Sequence, residues 1–140
     1  MEWYNNYYYK FNIKNIMEIR LGDILGNVDN IQELQKVKLP VKVSYKIMRL
    51  ANKLDPILKS FNESKDALVK EFGEPKKDGV EINGEAQNYS VTDPTKLVQY
   101  VAKLGELLDT KESVEFTPIK VEDLGDVVLE AKLLVPFIFE

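Results

Sequence analysis

Lys42, Lys46, Arg49 and Lys53 are the residues of this chain whose type and spacing best suit chemistry. Their steps of 4, 3 and 4 place them on one face if the segment is helical. From 36 to 53 there are six basic residues and no acidic one. Such a row can meet nucleotide phosphates or an acidic protein surface. The plainer reading is a solvated face, with lysine stems lying over a neighbouring apolar seam. A helix that needed only solubility would mix signs at i±3 and i±4. The unmixed row is therefore the candidate binding face, for an anion or an acidic partner.

Other chemistries have little material. The 140 residues contain no histidine and no cysteine. The commonest general base, the commonest metal ligand and every thiolate are thus absent. Catalysis would fall to carboxylates, Lys, Tyr or Ser. Glu122, Asp123 and Asp126 cluster around Gly125, but without a metal-loop spacing. No glycine-rich phosphate loop occurs. The reading is non-enzymatic, with no catalytic residue, no metal and no cofactor. A net charge of −4 argues against nucleic acid as a bulk partner. No apolar run reaches membrane-spanning length, so no membrane is expected. The lack of cysteine and of a signal-peptide pattern makes a reducing cytosol the expected location.

The basic row belongs to the longest periodic stretch. From 40 to 72, Val43, Ile47, Leu50, Leu54, Ile57, Phe61, Ser64 and Leu68 step by 4 and 3, with Ser64 the only polar member. This predicts one helix over about 41–72, roughly 45 Å long at about 1.5 Å per residue. It is expected to kink at Pro56 and to stop at Gly73. Residues 17–21 alternate as a strand, and 23–36 have helical spacing with Asp23 as cap. Asn83-Gly84 predicts a hairpin between 80–82 and 86–91. Asp93-Pro94 starts a helix over 94–109, expected antiparallel against the long one. Val114 to Val121 reads as extended chain interrupted by Pro118. Residues 129–135 read as a last short helix. The fold class is α+β and helix-dominated, with a small antiparallel sheet and a single domain over 17–140.

Residues 1–16 stand apart. Trp3, Tyr4, Tyr7, Tyr8, Tyr9 and Phe11 crowd this segment, which reads either as an ordered aromatic arm or as an extension before Met17. Trp3, Tyr7 and Tyr9 are candidate interface anchors, because large rigid side chains carry binding energy well. The apolar end VPFIFE adds Phe137 and Phe139, packed either in the core or across a subunit interface. Residues 106–140 hold nine Asp or Glu against three Lys. That polarity against 36–53, with the long seam, predicts a homo-oligomer.

From Met17 onward the chain resembles a group of short uncharacterised proteins encoded by phages and prophages of Gram-positive bacteria. The resemblance rests on MEIRLGDIL, KLPVKVSYKIMRLANKL, the helix end EFGE, and ELLDTKESVEFTPIKVEDL, and covers most of 17–124. It implies no activity and supplies no functional residues. It implies a phage setting, in which many small proteins bind host factors or signals. The leading expectation is a non-enzymatic binding protein that engages a host protein, with inhibition of a host defence system as one form of that role. The alternatives are a sponge for a small anionic, nucleotide-like ligand and a virion or assembly accessory.

Overall fold

The structure, a computed structural model, describes residues 16–75 and 89–140. In order, these form β1 (Ile16–Arg20), α1 (Leu21–Gly26), α2 (Val28–Lys36), α3 (Val41–Phe72), β2 (Glu74–Pro75), β3 (Tyr89–Ser90), α4 (Pro94–Leu108) and β4 (Lys111–Glu115). Two 3₁₀ turns follow, Val121–Leu124 and Ala131–Leu133. The protein is α+β and helix-dominated, with one long helix, one shorter helix and small antiparallel sheets. The aromatic arm and the Asn83-Gly84 turn lie outside the described residues.

The chain gathers into two compact units. Residues 16–55 with 111–140 form the first, and 56–75 with 89–110 belong to the second. The reason is length. A 32-residue helix spans about 48 Å, more than one small core can line. The division falls between Asp55 and Pro56. Pro56 lies inside α3, which continues as one helix through it, although proline has no N–H to give the carbonyl four residues back.

In the first unit β1 pairs antiparallel with β4, Met17 opposite Val114 and Ile19 opposite Glu112. Ile19 and Val114 are buried from one face of this ladder. On α3, Val43, Ile47, Leu50 and Leu54 are at most 4% exposed. Leu21, Ile24, Ile31, Leu34, Phe116, Ile119, Leu124, Leu133, Val135, Ile138 and Phe139 complete the core of this unit. Each fully buried aliphatic side chain stabilises by about 1.5–3 kcal/mol against its exposed state. No polar or charged residue is buried among the described residues.

Three expectations change here. The helix expected over 23–36 is two helices. α1 starts directly off β1 at Leu21, because Leu21 and Ile24 are both buried. Asp23 therefore lies inside the first turn and does not cap; its carboxylate meets Arg20 at 3.3 Å. Asn27 divides the two helices: its Nδ2 donates to the Asp23 carbonyl at 2.8 Å, and its own carbonyl accepts the Ile31 N–H at 2.9 Å. The expected helix over 129–135 is only the turn Ala131–Leu133. Leu133, Val135 and Ile138 all reach the core, a spacing of 2 and 3 that no α-helical face provides. The C-terminal strip joins the core through a parallel bridge from Phe139 to Ile119. Gly125, at φ 63°, turns the chain after the first 3₁₀ turn, in a region that favours glycine.

In the second unit the end of α3 leads into an antiparallel ladder, Glu74 opposite Ser90 and Pro75 opposite Tyr89. Residues 89–90 fall within the expected strand 86–91, and their partner is Glu74–Pro75, just after the end of α3. Gly73 closes α3 through its N–H to the Val69 carbonyl at 2.8 Å. A Cβ at Gly73 would clash with the Val69 carbonyl oxygen and come within 3.2 Å of the Ser90 carbonyl oxygen, so the close approach demands glycine. Asp93 caps α4 as expected, accepting from the N–H groups of Thr95 at 2.8 Å and Lys96 at 3.3 Å, with Pro94 in the first turn. The ladder returns the chain toward the start of α4. Tyr100, Leu104 and Leu108 of α4 are half-buried.

Candidate functional site

The basic row is positioned by α3, whose first turns begin just after Pro40, where the Pro40 carbonyl accepts the Ser44 N–H at 2.9 Å. The first turn holds no acidic residue. Cations near a helix N-terminus are disfavoured by the macrodipole, so this end sacrifices some local helix stability to concentrate positive potential. The seam Val43, Ile47, Leu50, Leu54 is the face that this stretch of α3 turns inward. That orientation sends Lys42, Lys46 and Arg49 outward, and all three are exposed.

The second wall comes from β4. Its pairing with β1 carries residues 115–117 to the flank of α3. There the Lys53 Nζ donates to the Glu115 carbonyl at 2.5 Å, which pins the helix to the strand end. Between the two walls lies an open groove of about 530 Å³, lined on the α3 side by Lys42, Tyr45, Lys46, Arg49 and Lys53. The four cations singled out by spacing thus lie in one groove. Lys53 is half-buried and already spends one N–H on the backbone. Lys42, Lys46 and Arg49 form no ion pair among the described residues.

Spacing alone missed Tyr45, which is 54% exposed between the two lysines. The Arg49 guanidinium carbon stands 5.9 Å from the centre of its ring, near enough for a cation–π contact that steadies both side chains. An aromatic residue off the apolar stripe was the available signal. Two carboxylates also reach the borders of the site. Glu115 lines the basic groove, and Asp123 lines an adjoining one with Lys42 and Lys46. Neither carboxylate is ion-paired among the described residues. The site is therefore a positive strip with negative margins. It can hold a multiply charged anion through several charge-assisted hydrogen bonds. Among the described residues there is no group of three or more acidic side chains able to hold a metal ion, and no helix is long and apolar enough to cross a membrane.

The remaining candidates are placed as follows. Phe139 is 8% exposed in the core of its own unit, and Phe137 is half-buried beside it in sequence. Trp3, Tyr7 and Tyr9 lie outside the described residues. Comparison with known protein families, with characterised proteins and with solved structures finds no significant match for this chain.

Proposed function

We propose that this is a non-enzymatic binding protein that engages an anionic surface of a host protein through the basic face of α3. The observation that carries the reading is the juxtaposition, in one groove, of Lys42, Lys46 and Arg49 without ion-pair partners among the described residues and the exposed ring of Tyr45. Tyr and Arg are enriched at protein interfaces, and complementary charge speeds and orients association. The resemblance of residues 17–124 to short phage and prophage proteins sets this role in the cytosol of a Gram-positive host, where blunting a defence system is one form of it. The chain acts as a homo-oligomer in this reading, on the strength of its charge separation between 36–53 and 106–140.

A second reading is a sponge for a small anionic, nucleotide-like ligand. The concave groove favours it, since about 530 Å³ falls within the roughly 300–1,000 Å³ of small-molecule sites.

The test is a double reversal, Lys46→Glu with Arg49→Glu, in a pull-down from host lysate. Both side chains are exposed, so the fold and melting temperature should persist while the captured partner is lost. Added salt should weaken the wild-type interaction, because exposed charges are screened beyond about 10 Å at 0.1 M. Normal capture by the double variant would leave the basic strip a solvated face and move the contact to Trp3, Tyr7 and Tyr9.

A further inference from the structure

Around the first half of α3 three strips follow one another. The first is the buried seam through Val43, Ile47, Leu50 and Leu54. The second is the basic row. The third is apolar and open: Val41 is 84% exposed, Tyr45 54% and Met48 47%. Its steps of 4 and 3 match those of the other two, so all three run in parallel along the helix. An exposed apolar strip beside a cationic one, of the same pitch, is unnecessary for holding phosphate alone.

We infer that the occupant of this face is an acidic, amphipathic segment of a partner protein, which sets apolar side chains on Val41, Tyr45 and Met48 and its carboxylates along Lys42, Lys46 and Arg49. The inference rests on the reading of the basic face given above and names the chemistry of its partner. Charge complementarity decides between occupants. The exposed cations from Lys42 to Arg49 extend over about 10 Å of helix at about 1.5 Å per residue. That reach exceeds one phosphate chain and suits carboxylates repeated every three or four residues. The surface relief agrees. The basic groove shares Tyr45 with a shallow depression toward Leu34 and Met48, and shares Lys42 and Lys46 with another toward Pro40 and Ile119. A compact ligand fills one depression, whereas a peptide laid along the helix covers adjoining ones. Glu115 and Asp123 at the borders repel carboxylates that overrun the strip, which fixes the register of the bound segment.

The experiment uses the full chain and three labelled probes at low salt, read by fluorescence anisotropy. One is a 16-residue peptide with Glu and Leu each repeated in steps of 4 and 3 on adjoining helical strips; one is a glutamate-only peptide of equal charge; one is ATP. The amphipathic peptide should bind at least ten-fold tighter than either of the others. Val41→Ala with Met48→Ala, both at exposed positions outside the basic groove, should remove that advantage while leaving the glutamate-only peptide and the melting temperature unchanged. Lys42→Glu with Lys46→Glu, at unchanged melting temperature, should abolish binding of both peptides. Equal affinity for the two peptides would overturn the apolar half of the inference and leave the anionic reading standing. Tightest binding of ATP would overturn it in favour of a small ligand. Binding of none of the three would overturn the inference and the reading beneath it together.

Discussion

Two helices of this protein carry the same apolar spacing and meet different surroundings. In the first unit, Val43, Ile47, Leu50 and Leu54 of α3 are between 0 and 4% exposed. In the second unit, Leu97, Val101, Leu104 and Leu108 of α4 repeat the 4, 3, 4 steps, yet Leu97 is 43% and Val101 57% exposed, and α4 has no fully buried residue. Periodicity states which face of a helix is apolar. It does not state how much protein is available to cover that face. The first unit surrounds its stretch of α3 with α1, α2, a strand pair and the C-terminal strip. The second unit offers α4 only the end of one helix and a two-residue ladder among the described residues. The α3 seam is accordingly where stability is concentrated, and α4 is built to open at lower cost.

This contrast can be broken most forcibly at Leu54. Leu54→Asp places a carboxylate where the side chain is 2% exposed. An unpaired buried charge there costs several kcal/mol, comparable with the about 5–15 kcal/mol that holds such a domain together. The first unit should lose its cooperative thermal transition. A wild-type melt would show that the seam faces solvent.

A matched pair sharpens the comparison. Leu50→Ala removes a fully buried side chain and should destabilise by about 2–5 kcal/mol. Leu97→Ala makes the same chemical change on α4 and should cost less than about 1 kcal/mol. Denaturant midpoints of the two variants measure the difference directly, and equal costs would abolish the distinction between the two helices.

A smaller effect is expected at Gly73, within the second unit. Gly73→Ala drives a Cβ toward the Val69 and Ser90 carbonyl oxygens. It should destabilise by roughly 1–2 kcal/mol, in the range of strained glycine replacements. Hydrogen exchange should quicken around β2, β3 and the last turn of α3 and remain unchanged in β1 and β4. Faster exchange in both ladders would mean that the units do not open separately.

The smallest effect belongs to the surface of the first unit. The hydrogen bond from Lys132 to Glu33, with the negative charge of Glu33 and Glu130 close by, raises the Lys132 pKa above its ordinary value of 10.5. A raised lysine contributes fully below its unfolded value, and the contribution is lost as pH rises through the folded one. The pair is exposed and screened, so the effect is slight. Lys132→Gln should melt marginally below wild type at neutral pH, and the two curves should converge on the alkaline side of 10.5. A gap that persists there would assign the difference to lost packing of the lysine stem.

Much of this architecture was legible because its signals are local. The 4 and 3 steps of α3 and the Asp93-Pro94 start of α4 are short-range patterns with a direct physical cause, and both elements lie where the patterns place them. Other features turned on distant partners. Asp23 has the side chain of a cap, but burial of Leu21 moves the helix start ahead of it. The strand that pairs with Tyr89–Ser90 is Glu74–Pro75, a segment whose polarity marks it as loop. In the site, the spacing of the four cations identified the face, while Glu115, Asp123 and the opposing wall at 115–117 could not be read from it.

By itself the sequence determined the helix-dominated α+β class, the course and stripe of the long helix, and the absence of histidine and cysteine chemistry. These depend on residue type and on contacts a few positions apart, which helical and strand periods dictate. Only the tertiary structure decided that the long helix serves two units, that Lys53 is tied to the Glu115 carbonyl while its neighbours face outward, and that Tyr45 lies among them in one groove. Those outcomes require residues some sixty positions apart to meet. Which segments meet is set by the burial of the whole core, and no short-range pattern encodes it.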